Sequence, residues 1–221
     1  MKDIPSKACA VDAVLFDFGG VLAEEGFANG LRAIALKNGK APDEFMRIGH
    51  ELVHKTGFVT GRATEHDYWE AIRKKTGIRD DDRTLRTEIL SRFILRPFML
   101  DAVRYLRETG ILVAILSDQT SWLDELNDRY DFFRFFDYVF NSYHMGRSKK
   151  DPAHFGEVLA AMGLEGEQVL LIDDRKENCD TARAAGLHAI QYENREFFYR
   201  DMTLFCPAFG RPGFAGRREG L

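Results

Sequence analysis

The sequence predicts an α/β fold: a doubly wound, Rossmann-like sheet of mostly parallel strands, with a block of helices inserted after the first strand. Three observations carry this expectation. Short apolar runs alternate with amphipathic stretches that stop at glycine. Three of the runs end in polar or acidic residues. Between the first run and the second lies a long stretch with helical spacing and no convincing strand.

Taken in order, the runs are AVLF (13–16), ILVAIL (111–116), the weaker YVF (138–140), VLLI (169–172) and HAIQY (188–192). Continuous apolar runs suit strands covered on both faces, as in a parallel sheet. PFMLDAVRYLRETG reads as a helix stopping at Gly110, with Met99, Val103 and Leu106 on one side. SWLDELNDRY, DPAHFGEVLAAMG and ENCDTARAAG read the same way, the last two stopping at Gly163 and Gly186. The inserted stretch contains FANGLRAIALKNG, PDEFMRIGHELVHKTG, TEHDYWEAIRKKTG and RTLRTEILSRFIL, each with apolar residues at helical spacing. The expected partition is a discontinuous sheet domain, 1–21 with 97–221, and a helical insertion over 22–96. The final stretch, PAFGRPGFAGRREGL, is rich in Gly, Arg and Pro and receives no element.

A composition of 45% hydrophobic and 30% charged residues is that of an ordinary globular chain with material for a packed core. Thirty-one basic against 35 acidic residues give a net charge of −4, which disfavours nucleic acid as a partner. Cys9, Cys179 and Cys206 are odd in number and far apart, so no disulfide framework is expected and a reducing compartment fits. No segment approaches the length needed to cross a bilayer, and the expectation is a soluble, cytoplasmic protein away from membranes. Nothing in the sequence fixes the oligomeric state.

The chemistry sits at the strand ends. AVLF ends in Asp17, ILVAIL in Ser117-Asp118, and VLLI in Asp173-Asp174. Ligands of open parallel sheets bind beyond the carboxyl ends of the strands, so these groups are expected to converge on one crevice, with Lys149-Lys150 entering beside them. Three carboxylates together call for a hard cation, and a hydroxyl with an ammonium suits an anionic oxygen group such as phosphate. A carboxylate in such a site can attack phosphorus and form an aspartyl-phosphate. Taken singly, Ser117-Asp118 could be a helix cap and the acidic and basic pairs solvated turns. Asp17 has no such packing role, and the set together favours phosphoryl transfer.

These motifs resemble the haloacid dehalogenase (HAD) superfamily of hydrolases. DFGGV (17–21), SDQ (117–119), GRSKKDPAHF (146–155) and IDDRKEN (172–178) occur in the superfamily's order, and the helical insertion resembles a C1-type cap, with GRATEHDYW (61–69) similar to a stretch common in such caps. The resemblance implies Mg²⁺ as cofactor and a small phosphorylated metabolite as substrate. It makes Asp17 the nucleophile and a metal ligand, and gives Gly19 a metal-binding backbone carbonyl. Ser117, with Asp118 beside it, would bind phosphate. Lys149 would be the family lysine, with Lys150 where the pattern has proline. Asp174 would be a direct metal ligand, and Asp173 would support Lys149 or a metal-bound water.

Gly19 is the departure. Most phosphatases of the superfamily carry a second aspartate there as acid and base, a contribution worth roughly 10²–10⁴-fold. Either the leaving group is good, or Glu24, Glu25 or His50 supplies the proton, or the chemistry differs. The alternatives are a metal-free, dehalogenase-like hydrolase and a non-catalytic HAD-like binding module; the Asp173-Asp174 pair favours metal and phosphate. His50-Glu51-Leu52-Val53-His54 also matches the H-E-x-x-H zinc-protease pattern, a remote alternative because no third ligand is evident. His50 is kept as a candidate substrate contact. Tyr68 and Trp69 are expected in the cap core, Trp122 at the cap–sheet contact or entrance, and DFFRFFDY in buried packing.

Overall fold

The computed structural model describes residues 9–211. Five strands, β1 (Ala13–Phe16), β2 (Leu112–Ser117), β3 (Tyr138–Asn141), β4 (Val169–Asp173) and β5 (His188–Gln191), form one sheet in the order β3-β2-β1-β4-β5. Every pairing is parallel. β1 is central, and all four of its residues are buried. That placement explains an apolar run with no alternation. β5, at the edge, shows exposure at His188 and Gln191.

The pleat separates two cores. Val14, Phe16, Val113, Ile115, Leu170 and Ile172 face one side, where α5 (Pro97–Glu108) and α6 (Trp122–Tyr130) bury Met99, Val103, Leu106, Leu123 and Leu126. Leu15, Ala114, Leu116 and Leu171 face the other, against Phe155 and Val158 of α8 (Pro152–Met162) and Ala182 of α9 (Lys176–Ala184). The glycine stops lie where the sequence put them: Gly163 caps α8 at φ +66°, and Gly110 follows α5 at φ +83°.

Between β1 and α5 lie α1 (Gly26–Lys37), α2 (Pro42–Thr56), α3 (Glu65–Thr76) and α4 (Asp82–Leu90). α3 opens with a capping box between Thr64 and Asp67. α4 ends at Leu90 rather than continuing through RTLRTEILSRFIL, because the chain turns at Ser91-Arg92 and Leu95 pairs with Ala23. Tyr68, Trp69 and Trp122 are fully enclosed, with the two indoles stacked at 5.7 Å. Trp122, the first residue of α6, therefore packs against the inserted helices, where its Nε1–H also donates to Glu65 Oε2 at 3.1 Å, rather than lining the cleft. Phe132 is buried on Phe18 at 5.0 Å.

Three further features depart from the sequence expectation. The short α7 (Ser142–Met145) and α10 (Arg195–Met202) were not read from the pattern. Pro207–Gly210 forms a 3₁₀ turn that buries Phe209, while 212–221 lie outside the described residues. Cys9 and Cys206 form a disulfide, against the expectation of none. Their 197-residue separation conceals a close approach: the segment before β1 runs beside the chain after α10, where Ala10 N–H donates to Phe205 O at 2.6 Å. Cys179 is free and buried. Among the described residues no helix is long and apolar enough to cross a membrane.

Candidate active site

Asp17 leaves β1 at the centre of the sheet, with its N–H donating to Ile172 O at 2.9 Å. Its side chain is buried. Oδ1 accepts from Phe18 N–H at 2.7 Å and from Ser117 Oγ at 2.6 Å. Oδ2 faces Lys149 Nζ at 3.0 Å. The ladder that pairs Phe16 with Ile172 sets Asp173 beside Asp17 one residue further on. Lys149 Nζ bridges the two, 2.5 Å from Asp173 Oδ2, and is 1% exposed. Lys150 is exposed on the cleft wall, so Lys149 is the lysine that enters the site.

Each acid has a distinct setting. Asp173 is fully enclosed, and Asn178 Nδ2 reaches both its oxygens at 3.0 and 3.1 Å, with Arg175 N–H on Oδ1 at 2.9 Å. Those partners hold the Asp173 carboxylate in place, and its Oδ2 in turn fixes the Lys149 ammonium. Asp118 lines the cleft, but its Oδ1 accepts from Lys149 N–H at 2.8 Å and ties down the loop that delivers the lysine. Asp174 is half-buried and lines the cleft. Asp17, Asp173 and Asp174 each offer an oxygen, all within 4.8 Å of one another. Three carboxylates with one ammonium leave buried negative charge unbalanced, which fits a hard divalent cation with oxygen ligands.

The electrostatics agree. Burial pushes the Asp17 carboxyl up to about 8 against the pull of Lys149, and Asp173 and Asp174 push the same way. Burial also works against the Lys149 ammonium, yet Asp17, Asp173 and Asp118 hold its pKa above the usual lysine value. The Asp174 carboxyl is raised by burial and by Asp173.

The two glycines after Phe18 make room for carboxylates. Gly20 has φ +83°, and a Cβ there would run into the Asp174 carboxylate. A Cβ on Gly19 would stand 2.8 Å from Glu25 Oε2. The loop carrying both is held by Arg96, which the sequence reading missed. Its guanidinium donates to Gly20 O, to Val21 O at 3.1 Å, and to Glu24 at 3.1 and 3.0 Å. Asn178 was also missed as a site residue, although its place two residues into α9 puts it back over the end of β4.

Above the sheet ends, the inserted helices and the core enclose a cleft of about 840 Å³. Its walls include Arg47, His50, His54, Gln119, Lys150 and Arg175. Burial lowers the His50 pKa to about 4, and Arg175 and His54 add to that effect. His50 lines the cleft, the position from which the sequence made it a candidate substrate contact. The zinc-protease pattern gains no third ligand: among the described residues, the one converging set of three potential metal-binding side chains is Asp17, Asp173 and Asp174.

A family model for haloacid dehalogenase-like hydrolase matches residues 11–186, and the chain belongs to that family. Among curated relatives it is similar to a phosphoglycolate phosphatase of Pseudomonas putida, 22% identical over 191 residues that cover 80% of this chain and 67% of that protein. It is also similar to the drimenol cyclase drtB of Aspergillus calidoustus, 26% identical over 168 residues, covering 72% of this chain but only 30% of that protein. A HAD family enzyme of Bacteroides thetaiotaomicron, solved in complex with magnesium and inorganic phosphate, shares the fold at a TM-score of 0.66 and 22% identity. That match covers 83% of this chain and 94% of the other.

Proposed function

We propose that this chain is a Mg²⁺-dependent phosphatase of a small phosphorylated metabolite, with Asp17 as nucleophile. One observation carries the reading: the Asp17 carboxylate, buried at the end of β1, is oriented by Ser117 Oγ at 2.6 Å and faced by Lys149 Nζ at 3.0 Å. A carboxylate so held attacks phosphorus while the bond to the leaving oxygen breaks, giving an aspartyl-phosphate. Water then attacks the same phosphorus and frees Asp17. Ser117 and Lys149 donate to phosphoryl oxygens, and Asp173 and Asp118 keep Lys149 in place. Asp17, Asp174 and the Gly19 backbone carbonyl would hold Mg²⁺, with Asp173 adjacent; bound there, the ion neutralises phosphoryl charge. The inserted helices act as a cap that excludes bulk water and selects the substrate. The similarity to a phosphoglycolate phosphatase and to a fold that accepts magnesium with phosphate supports the reading.

The test is phosphate release from a panel of metabolite phosphates, with Mg²⁺ or with EDTA, for the wild type and Asp17→Asn. Metal-dependent release that disappears in Asp17→Asn is expected. No release above the variant on any compound would contradict the proposal and direct attention to halide release from 2-haloacids.

A further inference from the structure

We propose that Glu25 is the acid–base residue of this site, acting from the cap side in the space that Gly19 leaves open. The inference rests on the phosphatase reading and deepens it. Gly19 does not adopt a left-handed backbone, so torsion does not require glycine there. What the position requires is the absence of a side chain, because a Cβ would stand 2.8 Å from Glu25 Oε2. A carboxylate thus lies where the side chain of residue 19 would reach, but it comes from another part of the chain.

Glu25 is also held for the task. Its Oε1 accepts from Ala28 N–H at 3.0 Å as the N-cap of α1, which fixes the rotamer and leaves Oε2 turned to the site. It lines the same cleft as Asp17, and the Gln119 amide nitrogen is 3.4 Å from the same open point beside Gly19. The two other candidates are otherwise engaged. Glu24 is half-exposed and held by Nε and Nη2 of the Arg96 guanidinium. His50 packs edge-on against Phe27 at 5.3 Å, among Arg175, His54 and Lys150, a setting that disfavours a bound proton.

The proton balance closes over the cycle. As Asp17 attacks phosphorus and the bond to the leaving oxygen breaks, protonated Glu25 gives its proton to that oxygen and the alcohol departs. Glu25, now a carboxylate, takes a proton from the water that attacks the aspartyl-phosphate. Phosphate leaves, Asp17 is regenerated and Glu25 is again protonated.

The experiment compares wild type, Glu25→Gln and Asp17→Asn on phenyl phosphate and on 2,4-dinitrophenyl phosphate, in the steady state and in the first turnover. Glu25→Gln keeps an oxygen to cap Ala28, so the fold is retained, which circular dichroism checks. The expected result on phenyl phosphate is a kcat loss of roughly 10²–10⁴-fold. On 2,4-dinitrophenyl phosphate, whose leaving group needs no proton, the variant releases a stoichiometric burst of phenolate and then turns over slowly, because activation of water is lost. Wild-type rates for Glu25→Gln on phenyl phosphate, or equal loss of the burst and the steady state, would overturn the role of Glu25 while Asp17-dependent turnover still stands. Absence of Asp17-dependent turnover in the wild type would overturn the phosphatase reading itself, and this one with it.

Discussion

The Lys149 ammonium lies 3.0 Å from Asp17 Oδ2 and 2.5 Å from Asp173 Oδ2, and the lysine is 1% exposed. Removing one partner of a buried ion pair leaves uncompensated charge, at a cost of about 3–5 kcal/mol. Lys149→Met is therefore expected to lower the unfolding free energy by about that amount, as read by urea titration. The exposed neighbour serves as control: Lys150→Met is expected to stay within about 0.5 kcal/mol of wild type. Equal effects at the two positions would contradict the assignment of Lys149 to the site.

Asp17 makes the site sensitive to pH. Its pKa in the folded, metal-free chain lies above the unfolded value of 3.8, at about 8. The folded state therefore keeps a proton that the unfolded chain has released. That contribution to stability is fully present below the unfolded pKa and is lost as pH rises through the folded one. Mg²⁺ competes for the same carboxylate, so the rise in Tm from EDTA to Mg²⁺ is expected to grow with pH up to about 8 and then level off. A shift that does not change over that window would count against Asp17 as a ligand.

Gly19 and Glu25 are expected to behave as a coupled pair. Gly19→Asp alone forces a side chain against Glu25 Oε2, 2.8 Å from the new Cβ, and should lower both Tm and activity. Combining it with Glu25→Ala removes the obstacle, so the double variant should be more stable than Gly19→Asp. Additive changes in Tm across this double-mutant cycle would mean that the two positions do not share one space.

The disulfide predicts a redox-dependent stability. Cross-links closing long loops contribute typically about 2–4 kcal/mol, with about 5 kcal/mol as the upper range. Reduction, or Cys206→Ser, is expected to lower the unfolding free energy by that order, with Asp17-dependent turnover retained. An unchanged urea midpoint after reduction would show that Cys9 and Cys206 are not joined in solution.

Much of the fold was legible because each central strand is buried on both faces. AVLF and VLLI needed no partner to be recognised, and their terminal aspartates marked the crevice. Glycine stops and helical spacing gave the helix order. What stayed hidden depended on distant contacts. Cys9 and Cys206 look unrelated along the chain and meet because the segment before β1 runs beside the one after α10. The end of α4 is set by Leu95 pairing with Ala23, a contact with no local signal. At the site, Asp17, Ser117 and Lys149 could be read from the strand ends and the motif. The choice of Glu25 over Glu24 could not, since nothing local in two adjacent glutamates says that Arg96 holds one at the surface while Ala28 N–H caps the other inside the cleft.

The most direct test of the central claim is mass spectrometry of the acid-quenched protein during turnover of the best phosphate ester in the presence of Mg²⁺. The account predicts a single phosphoryl group on the peptide carrying Asp17, absent in Asp17→Asn and longer-lived in Glu25→Gln. Turnover with no phosphoryl group on that peptide, or with the group on another residue, would contradict it.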